Sequence, residues 1–365
     1  MREFYKFINS LLLTLPSSGT LSYGWNAGSM LGVGLGFQLL SGSLMFFFYE
    51  SSFPFDSVQY IMHETNWGWL LRLLHANGAS MFFIFLFAHL FKGLFYCSAR
   101  LKKVWLSGVV MLMMFMLVSF TGYVLIWSQM SFWAAVVITT FLSVVPFFGE
   151  SLVVWMWGGF TVSLSTLKFF LFLHFLLPWV LLFVVLLHLI LLHDSGSTSS
   201  VYVCSDPDKM VFSPFYMWKD IINLLVLGLF FYVLFFYPFL AGDPEVFKEA
   251  EYLVSPPHIV PEWYFLFAYA ILRSIPNKVL GVLALFMSLL VLMFLCLGAH
   301  SGPVCFKLNL FLVWIFIFNV LLLSYIGHCP VEPPYIFWGA VFSFMYFFMV
   351  FFMMFVWFCG NEHFC

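Results

Sequence analysis

Charged side chains are scarce in this sequence of 365 residues: only 8% are Asp, Glu, Lys or Arg, whereas 64% are hydrophobic. So few charges do not cover the surface of a water-soluble protein of this size, and the composition therefore predicts a polytopic membrane protein. A net charge of −2 provides no basic surface, so we expect no nucleic acid partner.

The seven cysteines form no recurring motif. No two of them have the CxxC spacing, and no CxxCH sequence occurs. We therefore expect no zinc or iron–sulfur centre within this chain and no covalently attached c-type haem.

Eight apolar segments are long enough to cross a bilayer as helices. They are residues 27–48, 70–95, 106–127, 167–192, 221–240, 279–298, 308–327 and 336–358. Eight spans place both termini on one side, and the greater number of Lys and Arg residues on that side predicts the matrix or cytoplasm. The predicted fold class is an all-α polytopic membrane protein, whose first four spans form a bundle and whose outer loops contain amphipathic surface helices.

Histidines recur at one interval in the second and fourth spans. His75 and His89 are fourteen residues apart, and so are His174 and His188. In a helix this interval puts both rings on nearly one face, about 21 Å apart along the axis. The two spans run in the same direction, so the histidines face each other at two depths. This arrangement predicts axial ligation of two haem irons; the alternative is that each ring is only hydrogen-bonded within a packed core.

Two glycine pairs repeat the interval in the neighbouring spans. Gly28 and Gly42 lie in the first span, and Gly108 and Gly122 lie in the third. Because these spans run the opposite way, Gly42 and Gly122 share the outer depth. Glycine allows a flat cofactor to approach the backbone closely. With 24 glycines in the chain, one such pair can also arise by chance.

Polar residues near the ends of the spans are the other candidate functional residues. The outer loop 241–278 contains Pro261-Glu262, after which about a dozen residues can form a helix. Glu262 is either a residue that satisfies the helix start or a proton acceptor with a shifted pKa. At the inner ends, His193 and Asp220 are ordinary boundary residues that become interesting only because the inner haem should lie nearby.

Several segments together resemble the cytochrome b family of the quinol–cytochrome c reductases, in its respiratory, mitochondrial form. The matching segments are residues 25–29, 72–80, 129–133, 157–160 and 256–278, the last including Pro261-Glu262-Trp263-Tyr264. The resemblance implies a di-haem unit in residues 1–200, which also carries quinone-site elements. It implies a four-span unit in residues 201–365 that carries the Pro-Glu-Trp-Tyr loop.

The resemblance also implies residue roles. His75 and His174 would hold the outer, low-potential haem, and His89 and His188 the inner, high-potential one. Arg72 and Lys92 would neutralise haem propionates, and Trp105 would be a further cofactor contact. The implied outer quinol pocket consists of Phe120, Tyr123, Ala134, Pro261, Glu262 and Tyr269, with Glu262 taking a proton. The implied inner quinone pocket consists of His193, Ser197, Lys219 and Asp220.

The implied partners are a Rieske-type iron–sulfur protein, a cytochrome c1-type subunit, further complex III subunits, a second copy of this chain, lipid and ubiquinol or ubiquinone. The implied location is the mitochondrial inner membrane, or alternatively a bacterial plasma membrane. Two other functions stay open: a di-haem anchor of a dehydrogenase, and a transporter whose buried histidines relay protons.

The sequence departs from the family pattern at four positions. Ile126 replaces a usual proline, Ser128 and Ala134 replace usual glycines, and Phe169, beside Lys168, replaces a usual arginine. We expect Ala134 to narrow the outer pocket.

Overall fold

The computed structural model describes residues 5–6, 9–199, 208–298 and 306–362. Within that length, eight helical segments are long and apolar enough to cross a membrane. They coincide with the eight spans expected from the sequence, so the all-α polytopic fold is confirmed.

The bounds of the α-helices follow. In the first part of the chain they are α1 (Asn26–Phe46), α2 (Pro54–His63), α3 (Gly68–Phe95), α4 (Lys102–Val124), α5 (Gln129–Thr140), α6 (Gly149–Trp157) and α7 (Leu164–Ser195). In the second part they are α8 (Phe215–Lys219), α9 (Ile222–Phe236), α10 (Leu266–Ser274), α11 (Lys278–Gly298), α12 (Phe306–His328) and α13 (Tyr335–Glu362). Strands β1 (Pro16–Ser18) and β2 (Lys209–Val211) pair antiparallel.

Two helix pairs form a four-helix bundle. Helix α1 packs along α3, and α4 packs along α7. Most of α7 is uncovered by the rest of this chain and apolar on all sides, as expected for a helix that faces lipid or a partner subunit. The four histidines therefore lie where these two helix pairs face each other.

The C-terminal helices pack against the bundle through a buried amide. Helix α11 contacts α4, and α12 contacts α3. The side chain of Asn309 in α12 donates to the carbonyls of Leu94 (3.2 Å) and Phe95 (2.9 Å) at the end of α3. Its oxygen accepts from the indole of Trp357 in α13 at 2.8 Å. Because an unsatisfied amide inside a membrane is costly, these bonds fix α12 and α13 relative to α3.

The outer connection from α4 to α7 contains the expected surface helices, α5 and α6. Helix α4 ends at Val124. Ile126, which stands where the family usually has a proline, follows the end of the helix. Trp127 then adopts a left-handed conformation, with φ at 55°. Ser128 caps α5 through a reciprocal pair of bonds with Ser131, which gives the serine a definite structural role in place of glycine.

Candidate functional site: two facing histidine pairs and two polar pockets

The outer histidines face each other across the bundle. The ring centroids of His75 and His174 lie 6.0 Å apart, with their planes at 85°. Two imidazoles that bind one metal ion from opposite sides need about 2 Å for each metal–nitrogen bond, and a further ~1 Å from each nitrogen to its ring centre. The observed separation therefore matches axial ligation of a single iron.

Hydrogen bonds fix the tautomer of both outer rings. Ser41 donates its hydroxyl proton to the Phe37 carbonyl at 2.6 Å, so its oxygen is left to accept from Nδ1 of His75 at 2.9 Å. Nδ1 of His174 lies 2.8 Å from the Val118 carbonyl, to which it can only donate. Both rings thus carry their proton on Nδ1 and leave the lone pair of Nε2 for a metal.

The inner rings differ from each other. Nδ1 of His188 lies 2.7 Å from the hydroxyl of Ser107, which itself donates to the Val104 carbonyl at 2.8 Å. His188 is therefore held in the same tautomer as the outer rings. Nδ1 of His89 is buried and has no hydrogen-bond partner among the described residues. If the histidines were only hydrogen-bonded within a packed core, this buried nitrogen would have a hydrogen-bond partner.

The four glycines face the four histidines in the expected pairs. A Cβ atom built on Gly28 or Gly108 would lie 3.5 Å from Cε1 of His89 or His188. A Cβ atom on Gly42 would lie 2.9 Å from Cε1 of His75, and one on Gly122 would overlap the His174 ring. The glycines therefore leave room for the imidazole rings to pack against the neighbouring backbone. The sequence had instead predicted that they leave room for the edge of a cofactor.

These residues fit two haems better than a metal ion held by protein alone. Among the described residues, no three His, Cys, Asp or Glu side chains cluster as such an ion requires. Paired imidazoles flanked by glycines could supply two ligands to a haem iron, whose macrocycle would supply the other four donors.

Cations lie near both pairs. Arg72 and Lys92 each lie one helical turn from a histidine of α3, and Nζ of Lys92 sits 4.8 Å from the ring centre of Trp25. Trp105 is buried, and its indole donates to the Leu292 carbonyl in α11 at 2.8 Å. Its visible role is to join α4 to α11, so its contact with a cofactor stays a prediction.

Glu262 lies at the start of the expected helix but does not cap it. The segment Trp263–Phe265 forms a 3-10 turn that leads into α10, and the Glu262 side chain makes no capping hydrogen bond. Burial raises the pKa of Glu262 to about 7; the charge of Asp243 adds to this rise, and that of Arg72 opposes it. The structure therefore favours the proton-acceptor interpretation over the helix-start interpretation.

The other predicted outer residues surround the same region. The hydroxyl of Tyr269 donates to the Ile259 carbonyl at 3.3 Å, and the guanidinium of Arg273 lies 4.6 Å from the centre of its ring. The remaining residues named from the sequence lie on the helix ends and loop beside it: Phe120 and Ala134 are buried, and Tyr123 and Pro261 are partly buried.

Sequence reasoning missed two contributors to the outer pocket, Asp243 and Arg273. Asp243 belongs to a Gly-Asp-Pro turn and caps the short helix Pro244–Phe247, which is a sufficient reason for an aspartate there. Only the folded chain shows that its charge reaches Glu262.

The inner pocket is built on Asp220. Ser29 of α1 donates to its carboxylate at 2.7 Å, and Asn223 donates to Ser29 at 3.0 Å. Lys219 donates to the Leu21 carbonyl, and its Nζ lies 4.9 Å from the ring centre of Tyr23. A cavity of about 420 Å³ opens beside Lys219 and Tyr23 and is otherwise lined by Trp218, Ile221, Ile222, Leu224 and Leu225. Ser29 and Asn223 were missed because nothing in their local sequence predicts this contact.

His193 and Ser197 lie at the inner end of α7 and just beyond it. His193 is half-buried beside Asp194 and, among the described residues, makes no hydrogen bond with Asp220. The structure thus brings Lys219 and Asp220 together with α1, whereas the joint role of His193 and Ser197 stays a prediction.

The departure at Phe169 is filled by aromatic packing. Its ring lies 5.5 Å from that of Trp155 in α6 and 6.1 Å from that of Phe170. The usual cation is thus replaced by an apolar contact that fastens α6 onto the outer end of α7.

Comparisons with known proteins give one family for both parts of the chain. The family model described as Cytochrome b/b6/petB matches residues 12–196, and the one described as Cytochrome b(C-terminal)/b6/petD matches residues 249–347. Curated proteins named Cytochrome b from Caenorhabditis elegans and Caenorhabditis briggsae are each 55% identical over 343 residues, which cover 93% of this chain and 93% of each relative. A solved chain described as Hyperthermophilic respiratory Complex III superposes with a TM-score of 0.91 at 27% identity, over 98% of this chain and 97% of that one.

Proposed function

The chain belongs to the cytochrome b/b6 family of respiratory electron-transfer proteins, and we propose that it is the electron-carrying core of a quinol–cytochrome c reductase. In this proposal, quinol is oxidised at the outer pocket and quinone is reduced at the inner one. Electrons pass between the pockets through two haems in the bundle, and proton release outside with uptake inside builds a proton gradient.

The observation that carries the proposal is the pair of outer imidazoles, 6.0 Å apart, each with Nε2 free. When bound between such rings, haem supplies reversible one-electron chemistry. The protein supplies what determines where the electrons go: axial ligands at two depths, about 21 Å apart along α3, and cations near each depth.

At the outer pocket, the Glu262 carboxylate accepts a proton from the quinol hydroxyl. A pKa of about 7 leaves this group ready to take a proton at neutral pH and to release it to the outer water afterwards. Tyr123, Tyr269, Phe120, Ala134 and Pro261 shape the pocket. One electron of the quinol would pass inward along the bundle, and the proposed iron–sulfur partner would receive the other. Glu262 takes one of the two quinol protons, and the second is released to the outer water.

At the inner pocket, Asp220 supplies a proton to the reduced quinone, with His193 as a second donor. Ser29 donates to the Asp220 carboxylate at 2.7 Å and so fixes its orientation. Lys219 and Ser197 complete the polar side of the pocket. In this proposal residues 1–200 carry the two haems and parts of both pockets, and residues 201–365 carry the Glu262 loop.

We propose that the chain lies in the mitochondrial inner membrane, which the 55% identical relatives from two nematodes support. The greater number of Lys and Arg residues on the terminal side supports termini in the matrix. Its proposed partners are a Rieske-type protein, a cytochrome c1-type subunit, other complex III subunits, lipid, ubiquinone and a second copy of itself. The complex III chain that shares its fold supports assembly of this kind.

Spectra and paired inhibition test this proposal against the two alternatives. A reduced-minus-oxidised spectrum of the purified complex should show two b-type haems, which a proton-coupled transporter would lack. Quinol-dependent haem reduction should be blocked only when an outer-site and an inner-site inhibitor are both present, because each pocket alone can deliver electrons. Complete block by one inhibitor would identify a dehydrogenase anchor with a single quinone site.

Ala134 gives a prediction about outer-site inhibitors. Its methyl group is buried at 4% exposure where the family commonly has glycine. Fitting a rigid methoxyacrylate-type inhibitor against that methyl costs about 1–3 kcal/mol, so the chain should resist such compounds. Ala134→Gly should bind them about 5- to 150-fold more tightly. Inhibition titrations of quinol oxidation check this, with an inner-site inhibitor as the control. Equal inhibition of both forms would contradict it.

A further inference from the structure

Hydroxyl residues precede three of the four glycines that face the histidines. The three are Ser41, Ser107 and Thr121, whereas Ala27 precedes Gly28. Each hydroxyl donates to a carbonyl one turn back in its own helix: Ser41 to Phe37 at 2.6 Å, Ser107 to Val104 at 2.8 Å and Thr121 to Val118 at 3.0 Å. The hydroxyl–glycine dipeptide is thus a small repeated unit that packs against one axial imidazole.

The unit accounts for the hydrogen bonds of the imidazoles. Ser41 and Ser107 accept directly from Nδ1 of the ring they face. Thr121 instead donates to the Val118 carbonyl, which accepts from Nδ1 of His174. His89, the ring that faces Gly28, is the one whose buried Nδ1 has no partner in the described chain.

The hydrogen bonds of the inner pair are therefore asymmetric, although each glycine approaches its facing ring to the same distance. A Cβ built on Gly28 and one built on Gly108 lie at the same 3.5 Å from Cε1 of their facing rings. The two sites thus differ at the preceding residue, a serine on one side and an alanine on the other. A hydroxyl introduced at residue 27 should face His89, as the Ser107 hydroxyl faces His188.

We propose that residues 27 and 107 are positioning residues for the inner haem: Ser107 holds His188 through its hydroxyl, and Ala27 leaves His89 unrestrained. This inference rests on the proposed function. Together the two residues set the reduction potential of the inner haem and the orientation of its axial rings.

The direction of the effect follows from ligand basicity. An imidazole that donates through Nδ1 becomes a stronger electron donor through Nε2, and a stronger donor favours the oxidised iron. The absence of a bond at His89 therefore keeps the inner potential higher, which suits the haem that receives electrons from the outer one. A hydroxyl at residue 27 should lower the inner potential, and loss of the hydroxyl at residue 107 should raise it.

The test is a redox titration of the assembled complex carrying Ala27→Ser. A neutral hydrogen bond is worth about 1 kcal/mol, so we expect the oxidised-to-reduced ratio of the inner haem to rise about two- to fivefold at a fixed ambient potential. Ser107→Ala should move the ratio the other way by a smaller factor, because the Val104 carbonyl lies near enough to accept from His188 instead. The outer haem should keep its wild-type midpoint in both variants.

Gly36→Ser is the matched control. It adds the same hydroxyl to the same helix, at a position where a Cβ meets no other atom within 4 Å. Its inner potential should equal that of the wild type. The inference is overturned if Ala27→Ser leaves the inner midpoint unchanged, moves it upward, or shifts the outer haem equally. Absence of two b-type haems from the wild-type complex would instead overturn the proposed function.

Discussion

Replacing His174 with leucine should remove the outer haem from the complex while the inner haem stays bound. The leucine side chain fills similar space but has no lone pair, so in the proposed function a haem iron at this depth would keep one protein ligand, His75, instead of two. The proposed inner ligands His89 and His188 lie at the other end of the same helices and are untouched. The reduced-minus-oxidised spectrum should lose the outer component, and quinol-driven reduction of the inner haem from the outer pocket should fall at least about 100-fold.

Phe172→Leu is the control for His174→Leu. Phe172 lies two residues away on α7, and 58% of its surface is exposed, so its replacement should leave both haem components intact. The retained inner haem serves as an internal control for folding. A His174→Leu complex that keeps both components at wild-type intensity would show that this ring does not bind iron.

The spacing of residues along single helices was sufficient to predict that His75 faces His174. A repeat of fourteen residues fixes both the face and the depth of a side chain, and the number of spans fixes the direction of each helix. The pairing of His75 with His174, and of Gly42 and Gly122 with those two rings, follows from these two facts and is observed. No knowledge of side-chain packing was needed for this part of the site.

The details that control chemistry depend on contacts between distant elements and were not accessible from the sequence. Ser29 and Asp220 are 191 residues apart, and their bond exists because the start of α1 meets the turn before α9. The tautomers of the imidazoles are set by hydroxyls such as Ser41 and Ser107, which read as ordinary helix residues. Whether Glu262 caps a helix or stays available was likewise decided only by the orientation of its side chain.

The rate of quinol oxidation should depend on pH through Glu262. Burial and the charge of Asp243 raise the pKa of this carboxyl from 4.5 to about 7, so the group is protonated below that pH and ionised above it. A carboxyl that accepts the proton of quinol works only when ionised. We therefore expect the turnover rate to rise with pH up to about 7 and to level off above it, falling about tenfold for each unit below.

Glu262→Gln should remove this dependence together with most of the activity. The amide cannot accept the proton, so the turnover rate should fall about 10- to 100-fold. The limb of the pH–rate profile, meaning the fall in rate below about pH 7, should disappear. Glu262→Asp keeps a carboxylate and should retain the limb with a smaller loss of rate. Stopped-flow measurement of haem reduction by quinol, between pH 5.5 and 9 and with the inner site inhibited, separates these outcomes.

Asp243→Asn tests the contribution of the Asp243 charge to the raised pKa of Glu262 without altering Glu262 itself. Its charge raises the pKa of Glu262, so removing that charge should lower the pKa and move the limb toward acid, while the plateau rate above pH 8 stays close to that of the wild type. Arg72 opposes Asp243, and its own contribution is unchanged in this variant. A limb that stays at pH 7 in Asp243→Asn would show that the charge of Asp243 does not act on the proton acceptor. A limb that persists in Glu262→Gln would assign the proton acceptor to another group.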